Sequence, residues 1–290
     1  MKTLLISTDF STIATHAAEY GYSLAKQIKA NVILCNAVSV PAEVSQAGVI
    51  VWPMEEYNLL MEESDKELES LKKHLENTEP AGSFRPLIKV INQSGILLDI
   101  ANVIVEVHNV ELLIMGTHGA SGFSHFLLGD HSRKMIGGTI KPLLLIPPAA
   151  KMTRIKKIAF ATDFRHPEED LRAIYNLIAF ARLLNAEILL THVYNGKQQT
   201  PEFQEWLKRF LVDVSNTADY PHIYYRMIKN SNTEAGLDWL CVHGQVDMLA
   251  MVHRQHNFFD NLLKGSHTKK MADQIPVPLM VIPEIFLKSL

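Results

Sequence analysis

The segment with the most obvious chemical potential is residues 115–132, MGTHGASGFSHFLLGDHS. It follows an apolar run, places three glycines within seven residues, and has a further glycine, Gly129, just before a predicted helix. Glycines let backbone N–H groups approach an anion closely, and a helix start adds unpaired N–H donors and the positive end of the helix dipole. The segment favours phosphate binding, although loops also use glycine simply to turn.

Thirteen histidines raise the question of a metal site. His118, His125 and His131 are seven and six residues apart, and no HExxH pattern occurs, so no standard zinc ligand set is recognised. A scatter of unrelated histidines is the preferred interpretation. One regularity remains: His131 and His267 each follow a Gly-Asp or Gly-Ser pair, where an imidazole at a helix start could donate to a phosphate.

Other catalytic patterns do not occur. The sequence has no GxSxG nucleophile elbow and no GxxxxGKS/T loop, which argues against a hydrolase and a P-loop kinase. Asp9, in the TDFS segment after the first apolar run, has two interpretations. Its carboxylate orients a ribose hydroxyl, or it caps the helix that starts near Ser11.

The elements around these residues come from an internal repeat. Four segments of the first copy recur in the same order in the second: KTLLISTDF as KKIAFATDF, ANVILCNAV as AEILLTHVY, VELLIMGTH as VDMLAMVH, and KPLLLIPP as VPLMVIPE. The repeat predicts two domains, residues 1–150 and 151–290, with the boundary near the polar stretch 149–153.

Each copy alternates short apolar runs with helical patterns, which predicts parallel strands joined by crossover helices. The strands are expected near 2–8, 31–37, 86–92, 110–116 and 142–146, and again near 156–161, 187–193, 222–228, 246–251 and 278–282. The helices are expected after Ser11, at 54–78, at 95–108 and after Gly129, and then at 167–184, 201–215, 233–243 and 266–273. Fully apolar strands such as LLIS, VILC, LLIM and LLLI indicate sheets that are covered on both faces. The predicted fold is therefore α/β, with two tandem doubly wound domains, each a five-stranded parallel sheet flanked by helices.

Composition narrows the class of protein. Of the 290 residues, 47% are hydrophobic and 20% are charged, as in soluble globular proteins. The net charge of −3 offers no basic field, so nucleic acid is not an expected partner. Two distant cysteines and the lack of any apolar run of membrane-spanning length predict a reducing cytoplasm and no membrane partner.

The glycine spacing and the TDFS segment resemble the universal stress protein family in its tandem two-domain form, over essentially the whole chain. The family signature is Gly, two residues, Gly, nine residues, Gly, then Ser or Thr. Gly116, Gly119 and Gly129 match it in spacing, and Asp130 departs from it in the last place. The resemblance implies an adenine nucleotide alpha hydrolase-like fold that binds ATP or another adenine nucleotide, with or without Mg²⁺, in the N-terminal domain.

The resemblance also implies individual roles. Asp9 takes an acidic place near the adenosine, which favours its ribose interpretation, and the backbone near Ala37 and Val38 meets the adenine. No catalytic residue and no metal ligand is assigned. The expected phosphate-side residues are Gly116, His118, Gly119, Gly129, Asp130, His131 and Ser132.

The second copy departs from the signature. Asp163 survives, but Met251 and Arg254 are expected in place of the first two glycines, and Gly265 keeps only the last part. A β-carbon at both close-approach positions would move the backbone away from a phosphate, so two equal sites per chain are not expected. The remaining cationic residues of this loop are expected to be solvated: His253, Arg254, His256 and His267.

The resemblance implies a stress-response protein that acts as a sensor or scaffold. At most slow ATP hydrolysis is expected, because no general base is evident near the γ-phosphate. Two alternatives are a nucleotide-free binding or assembly module that takes another small ligand in the sheet-end pocket, and an enzyme of a related adenylate-handling fold. The enzyme alternative is disfavoured because no second catalytic motif occurs.

Two predictions concern assembly and the insertion. The last strands, 142–147 and 278–283, are expected to pack the domains as a pseudo-twofold dimer inside one chain, and a homodimer of whole chains stays open. The insertion at 39–58 is expected to pack rather than to form a lid or an interface arm. The charged helix at 54–78 is expected to be a solvated amphipathic helix rather than a partner helix.

Overall fold

The computed structural model describes residues 2–39, 43–44, 50–51, 54–77, 84–117, 130–194, 200–254 and 276–289. The elements of the first half are β1 (Thr3–Ser7), α1 (Thr12–Ile28), β2 (Asn31–Val38), β3 (Glu43–Val44), β4 (Ile50–Val51), α2 (Met54–Asn77), β5 (Ile88–Ser94), α3 (Leu97–Val107), β6 (Val110–Gly116), α4 (Asp130–Gly138) and β7 (Leu143–Ile146). Those of the second half are β8 (Lys157–Ala161), α5 (Pro167–Leu184), β9 (Glu187–Tyr194), α6 (Pro201–Ala218), β10 (Ile223–Lys229), α7 (Thr233–His243), β11 (Met248–His253), β12 (Leu279–Pro283) and α8 (Glu284–Lys288).

One continuous sheet runs through both halves, in the order β10-β9-β8-β11-β12-β7-β6-β1-β2-β5. Within each half all neighbouring strands are parallel. The central pair, β7 with β12, is antiparallel, with Leu279 opposite Leu145 and Val281 opposite Leu143. The predicted fold class, two doubly wound units with five parallel strands each, is confirmed. Because the central pair is antiparallel, the carboxyl ends of the strands in the two halves lie at opposite edges of the sheet.

Helices cover both faces of this sheet, as the apolar strands require. Alternate residues of each strand point to opposite faces: Leu4 and Ile6 of β1 belong to the core beneath α1, α2, α5 and α6, whereas Leu5 belongs to the core beneath α3, α4 and α7. Helix α1 starts at its N-cap, where the Ser11 side chain accepts a hydrogen bond from the Ala14 N–H, and it ends at Lys29 in the left-handed conformation.

Sequence and structure agree on most elements, and the sheet strands begin and end within about two residues of their predicted limits. The helix predicted at 266–273 lies outside the described residues. Three elements were not predicted: the short antiparallel strands β3 and β4 inside the insertion, and α8 after the last strand. Helix α8 has five residues, too few to show a helical period in the sequence. Among the described helices, none combines the length and the apolarity that a bilayer crossing needs.

The continuous sheet predicts that a defect in β7 is felt in both halves. Leu144 is fully buried in β7 and lies opposite Met280 of β12. We expect Leu144→Ala to lower the free energy of unfolding by about 2–5 kcal/mol. Urea denaturation followed by tryptophan fluorescence in a Trp52→Phe background measures this, because the two remaining tryptophans, Trp206 and Trp239, both lie in the second half.

The matched control is Val103→Ala on the exposed side of α3, which should shift the urea midpoint little, since Val103 is 53% exposed. A fluorescence transition that Leu144→Ala leaves unchanged, with an earlier transition seen only by circular dichroism, would show that the halves unfold independently.

Candidate functional site

The carboxyl edge of the first half gathers the predicted site residues that the structure describes. Strands β6, β1 and β2 are neighbours and run parallel, so their last residues lie at one edge. Gly116 ends β6, Ala37 and Val38 end β2, and Asp9 lies two residues beyond β1. Ligands of open α/β sheets bind at this kind of edge.

A hydrogen-bonded turn follows β1. The Thr8 N–H donates to the Cys35 carbonyl at 2.9 Å, and the Thr8 hydroxyl oxygen accepts from the Phe10 N–H at 3.0 Å. The Asn36 side-chain amide donates to the Thr8 carbonyl at 2.9 Å. Phe10 adopts the left-handed conformation, with φ of 63°, which reverses the chain into α1. The turn is therefore fixed by bonds to β2.

Asp9 acts on the helix cap and also stays exposed. Its Oδ1 accepts from the Ser11 N–H at 3.1 Å and from the Ser11 hydroxyl at 2.6 Å, while the Ser11 Oγ accepts from the Ala14 N–H at 3.2 Å. The cap itself is Ser11, and the Asp9 carboxylate orients that cap. Of the two interpretations of Asp9, the structure shows the helix-cap role, which Asp9 plays indirectly through its bonds to Ser11. The Asp9 side chain is also exposed at this edge of the sheet.

Gly116 lets β6 approach α1 closely. A β-carbon at this position would lie 2.9 Å from Ile13 Cγ2 and 3.2 Å from the Ile13 carbonyl oxygen. The second contact is with backbone in the first turn of α1, which cannot move aside like a side-chain tip. Any larger residue at 116 would push the end of β6 away from the start of α1.

The start of α4 is tied to the same edge. Ser132 is buried, and its hydroxyl lies 3.1 Å from the Thr117 carbonyl and 3.4 Å from the Gly116 carbonyl, to which it donates. Asp130 is the first residue of α4, and His131 has an exposed side chain. Three predicted site residues lie outside the described residues: His118, Gly119 and Gly129.

The second half repeats the turn. The Thr162 hydroxyl oxygen accepts from the Phe164 N–H at 3.0 Å, His192 Nδ1 lies 3.0 Å from the Thr162 carbonyl, and Phe164 has φ of 56°. The sequence analysis missed the residues that fix these two turns, which are Thr8 with Asn36 and Thr162 with His192. The TDF triplet that occurs in both copies is the signal that pointed to them.

The strand pairing corrects the predicted match between the two glycine positions. Gly116 pairs with Ile146 of β7, and Val252 pairs with Ile282, the equivalent residue of β12. Val252, not Met251, therefore stands in the place of Gly116, and Arg254 stands in the place of His118 rather than Gly119. The sequence match was one residue out because the apolar run of β11 contains no glycine to mark its end.

Arg254 is buried at the carboxyl edge of the second half, so the expectation that it is solvated is wrong. Its Nε donates to Glu169 Oε2 at 3.0 Å, and its Nη2 donates to Asp170 Oδ1 at 2.7 Å. Asp170 is 0% exposed, and its other oxygen accepts from the Thr162 hydroxyl at 2.6 Å. Burial alone would lower the pKa of Arg254, but Asp170 and Glu169 outweigh it and raise that pKa above its usual value.

The carboxylates that hold Arg254 have apolar counterparts in the first half. Helices α1 and α5 both end at a left-handed residue, Lys29 and Asn185, each of whose N–H groups bonds back into the last turn. Counting back from these ends, Asp170 corresponds to Ala14. The first turn of α1 therefore has no charged side chain where α5 places the partner of Arg254.

Aromatic side chains fill the neighbouring part of the second half. They lie between the turn after β8, the end of β9 and α6, with neighbouring ring centroids 5.2–6.0 Å apart. The cluster consists of Phe164, His192, Phe203, Trp206 and Phe210.

The thiols contribute no nucleophile. Burial raises the pKa of Cys35 to about 12, and burial followed by the Asp238 charge raises the pKa of Cys241 to about 12. Both therefore remain protonated at neutral pH. Within the described ranges, no group of three or more His, Cys, Asp or Glu side chains is arranged to hold a metal ion.

The buried ion pair predicts a large stability effect at Arg254. Arg254→Ala leaves the Asp170 carboxylate buried without its cation, so we expect a loss of about 3–5 kcal/mol in the free energy of unfolding. Urea denaturation measures the loss. The matched control in the same region is Arg165→Ala, which removes an exposed pair, 3.5 Å from Asp163, and should cost less than about 1 kcal/mol. Equal losses for the two variants would contradict the account of the buried pair.

Comparisons with known proteins agree with this architecture. The model of the universal stress protein family matches residues 1–147. Universal stress protein MJ0577 of Methanocaldococcus jannaschii is 28% identical over 159 residues, covering 50% of this chain and 94% of the relative. Universal stress protein MJ0531 of the same organism is 26% identical over 150 residues, covering 52% of this chain and 84% of the relative.

A solved structure matches the whole chain. The crystal structure of a universal stress protein from Archaeoglobus fulgidus superimposes with a TM-score of 0.71 and covers 97% of this chain and 98% of its own, at 16% sequence identity. At this identity the likeness shows a shared fold across both halves. Together with the family model, which covers half of the chain, these findings show that the chain belongs to the universal stress protein family.

Proposed function

We propose that the chain binds an adenine nucleotide, ATP or a relative of it, at the carboxyl edge of its first half, and that it acts as a sensor or scaffold in a stress response. Residues 1–150 form the nucleotide-binding domain in this proposal, and residues 151–290 form a second domain with a degenerate loop. The proposal treats the protein as a binder with at most slow turnover.

The observation that carries the proposal is the difference between the two carboxyl edges. In the second half a buried guanidinium, its two carboxylates and a cluster of aromatic rings occupy the edge. In the first half the equivalent residues are small and uncharged: Gly116 stands for Val252, and Ala14 stands for Asp170. The second edge is therefore filled by its own buried side chains, whereas the matched positions of the first edge carry shorter side chains without charge.

The residues at the first edge suit a phosphate ester. Gly116 brings the end of β6 against the start of α1, and the Ser132 hydroxyl fixes the first turn of α4 beside it. A helix start offers N–H donors and a positive dipole end to a phosphate. The proposed phosphate-side residues are Gly116, His118, Gly119, Gly129, Asp130, His131 and Ser132.

The exposed Asp9 carboxylate and the end of β2 suit the nucleoside part. A carboxylate accepts hydrogen bonds from ribose hydroxyls, and the strand end at Ala37 and Val38 offers backbone groups to a base. Asp9 is already oriented by its bonds to Ser11, so it would lose little side-chain freedom on binding. In this proposal the nucleotide supplies the phosphate charge and the adenine ring, and the residues of the chain hold both in position.

The competing proposal is a nucleotide-free assembly module whose first edge takes another small ligand. The small, uncharged residues at that edge are equally compatible with another small ligand, whereas the glycine spacing and the start of α4 favour a phosphate. Denaturing the purified protein and identifying any released molecule by mass separates the two proposals. A released adenine nucleotide favours the first, and another released metabolite favours the second.

Assembly and location belong to the same proposal. The antiparallel pairing of β7 with β12 supports a pseudo-twofold dimer of the two domains inside one chain. The two cysteines, both free thiols, are consistent with a cytoplasmic location.

The difference between the edges predicts at most one tightly bound adenine nucleotide per chain. We expect Gly119→Val to abolish most of the binding, because a branched side chain at a close-approach position displaces the loop backbone. The matched control is Gln255→Val, three positions after Val252 as Gly119 is three positions after Gly116, and it should leave binding unchanged. Calorimetry that returned two comparable sites, or an unaffected Gly119→Val variant, would refute the prediction.

Asp130 predicts weak discrimination between ATP and adenosine. A carboxylate about 4 Å from a phosphate charge costs on the order of 4 kcal/mol at an effective dielectric constant near 20, an upper value. Asp130→Ser should therefore raise the ratio of ATP affinity to adenosine affinity in metal-free buffer. Mg²⁺ should help the native protein more than the variant, because it bridges the carboxylate to the phosphates. Equal ratios in both proteins, with and without Mg²⁺, would show that Asp130 does not face the phosphates.

A further inference from the structure

A cavity of about 100 Å³ lies between the two halves, at the amino ends of β1 and β6 and beside the carboxyl end of β12, on the opposite edge of the sheet from the proposed nucleotide site. It is bounded by the first residues of β1 and β6, the end of α1, the middle of α5, and β12 with α8. Its wall is apolar and comes from both halves. The main apolar lining residues are Leu4, Ile28, Leu112, Phe180, Ile282 and Phe286.

The repeat shows which side chain differs between the cavity and the equivalent place in the first half. Counting back from the matched helix ends Lys29 and Asn185, Asn176 of α5 corresponds to Tyr20 of α1. Asn176 and Glu111 line the cavity. Tyr20, which is 4% exposed, lies near Asp247, the counterpart of Glu111; burial raises the pKa of its phenol, and the charge of Asp247 raises it further.

A short side chain therefore stands at the cavity where its counterpart is a buried aromatic ring. The Asn176 amide donates to the Arg172 carbonyl of its own helix at 3.0 Å, so it is held along α5. In the first half, the phenol ring of Tyr20 stands at the position that the shorter Asn176 has in the second half. The cavity has the size and the wall for an apolar group of a few carbon atoms, and dry apolar cavities of similar size bind such groups.

A cation and a carboxylate lie at the mouth of the cavity. Lys2 and Glu111 both line it, and the Lys2 Nζ lies 3.9 Å from Glu111 Oε2, at the limit of an ion pair between partly exposed groups. Lys141 does not line the cavity, but its Nζ lies 5.1 Å from the centroid of the Phe286 ring, which does. An exposed pair of this kind contributes little free energy, so the Lys2 ammonium can bind the carboxylate of a ligand in place of Glu111.

We propose that this cavity is a binding site for a short-chain monocarboxylate, whose apolar chain enters the space beside Asn176 and whose carboxylate is bound at the mouth by Lys2. The site is separate from the proposed nucleotide site and does not depend on it. Because its wall comes from both halves, a bound acid would contact α1, α5 and the central strand β12 together.

Hexanoate is the probe, and calorimetry with the full-length chain is the measurement. We expect one site per chain, and a higher melting temperature in excess hexanoate. Asn176→Tyr places in the cavity the side chain that the first half has at the equivalent position, so it should weaken hexanoate binding roughly ten-fold or more. Asn176→Ala removes the same amide without filling the space and should bind hexanoate as the native protein does.

The charge at the mouth has its own controls. Lys2→Gln should weaken hexanoate binding about five-fold, as expected for one partly exposed charge. Hexylamine, with the same chain and the opposite charge, should not bind. Absence of hexanoate binding to the native protein, or equal binding by Asn176→Tyr, would overturn the proposal. Equal binding of hexylamine would overturn the assignment of an anionic ligand. Neither result depends on whether the chain binds a nucleotide.

Discussion

The antiparallel pairing of β7 with β12 is the constraint on which the arrangement of the molecule depends. It joins two parallel sheets into one of ten strands and points their carboxyl ends to opposite edges. The two potential ligand edges therefore cannot face each other. Each is built by one half alone, and each half was free to change its own edge without altering the other. The residues at the join, by contrast, are buried on both faces and must be apolar.

The two carboxyl edges differ in the side chains that occupy them. In the second half, Arg254 crosses from the end of β11 to the first turn of α5 and binds Asp170, which in turn fixes Thr162 of the turn after β8. One buried cation thus links three segments of that edge. In the first half the same segments meet through backbone and small side chains, with Gly116 against Ile13. A buried charge pair is sensitive to the loss of either partner, whereas an edge formed by glycine is sensitive to any added side chain.

Much of the fold could be predicted from the sequence because the repeat gives each element twice. The strands and most helices follow from apolar runs and matched segments. The register of β11 did not follow, since runs of apolar letters align equally well one residue out of step. The partner of Arg254 did not follow either, because Asp170 is 84 residues away and only the sheet brings them together. The five-residue helix α8 is too short to show a repeated helical period in the sequence, and the cavity at Asn176 depends on packing between the halves.

The central claim is that the first edge is open to an adenine nucleotide and the second is closed by its own side chains. Photo-crosslinking with 2-azido-ATP, followed by mass mapping of the labelled peptides, tests it most directly. The account predicts labelled peptides only from the first half, around the turn after β1 and the end of β2, with labelling prevented by excess ATP. Comparable labelling of peptides that contain Phe164, Tyr194 or Arg254 would contradict it.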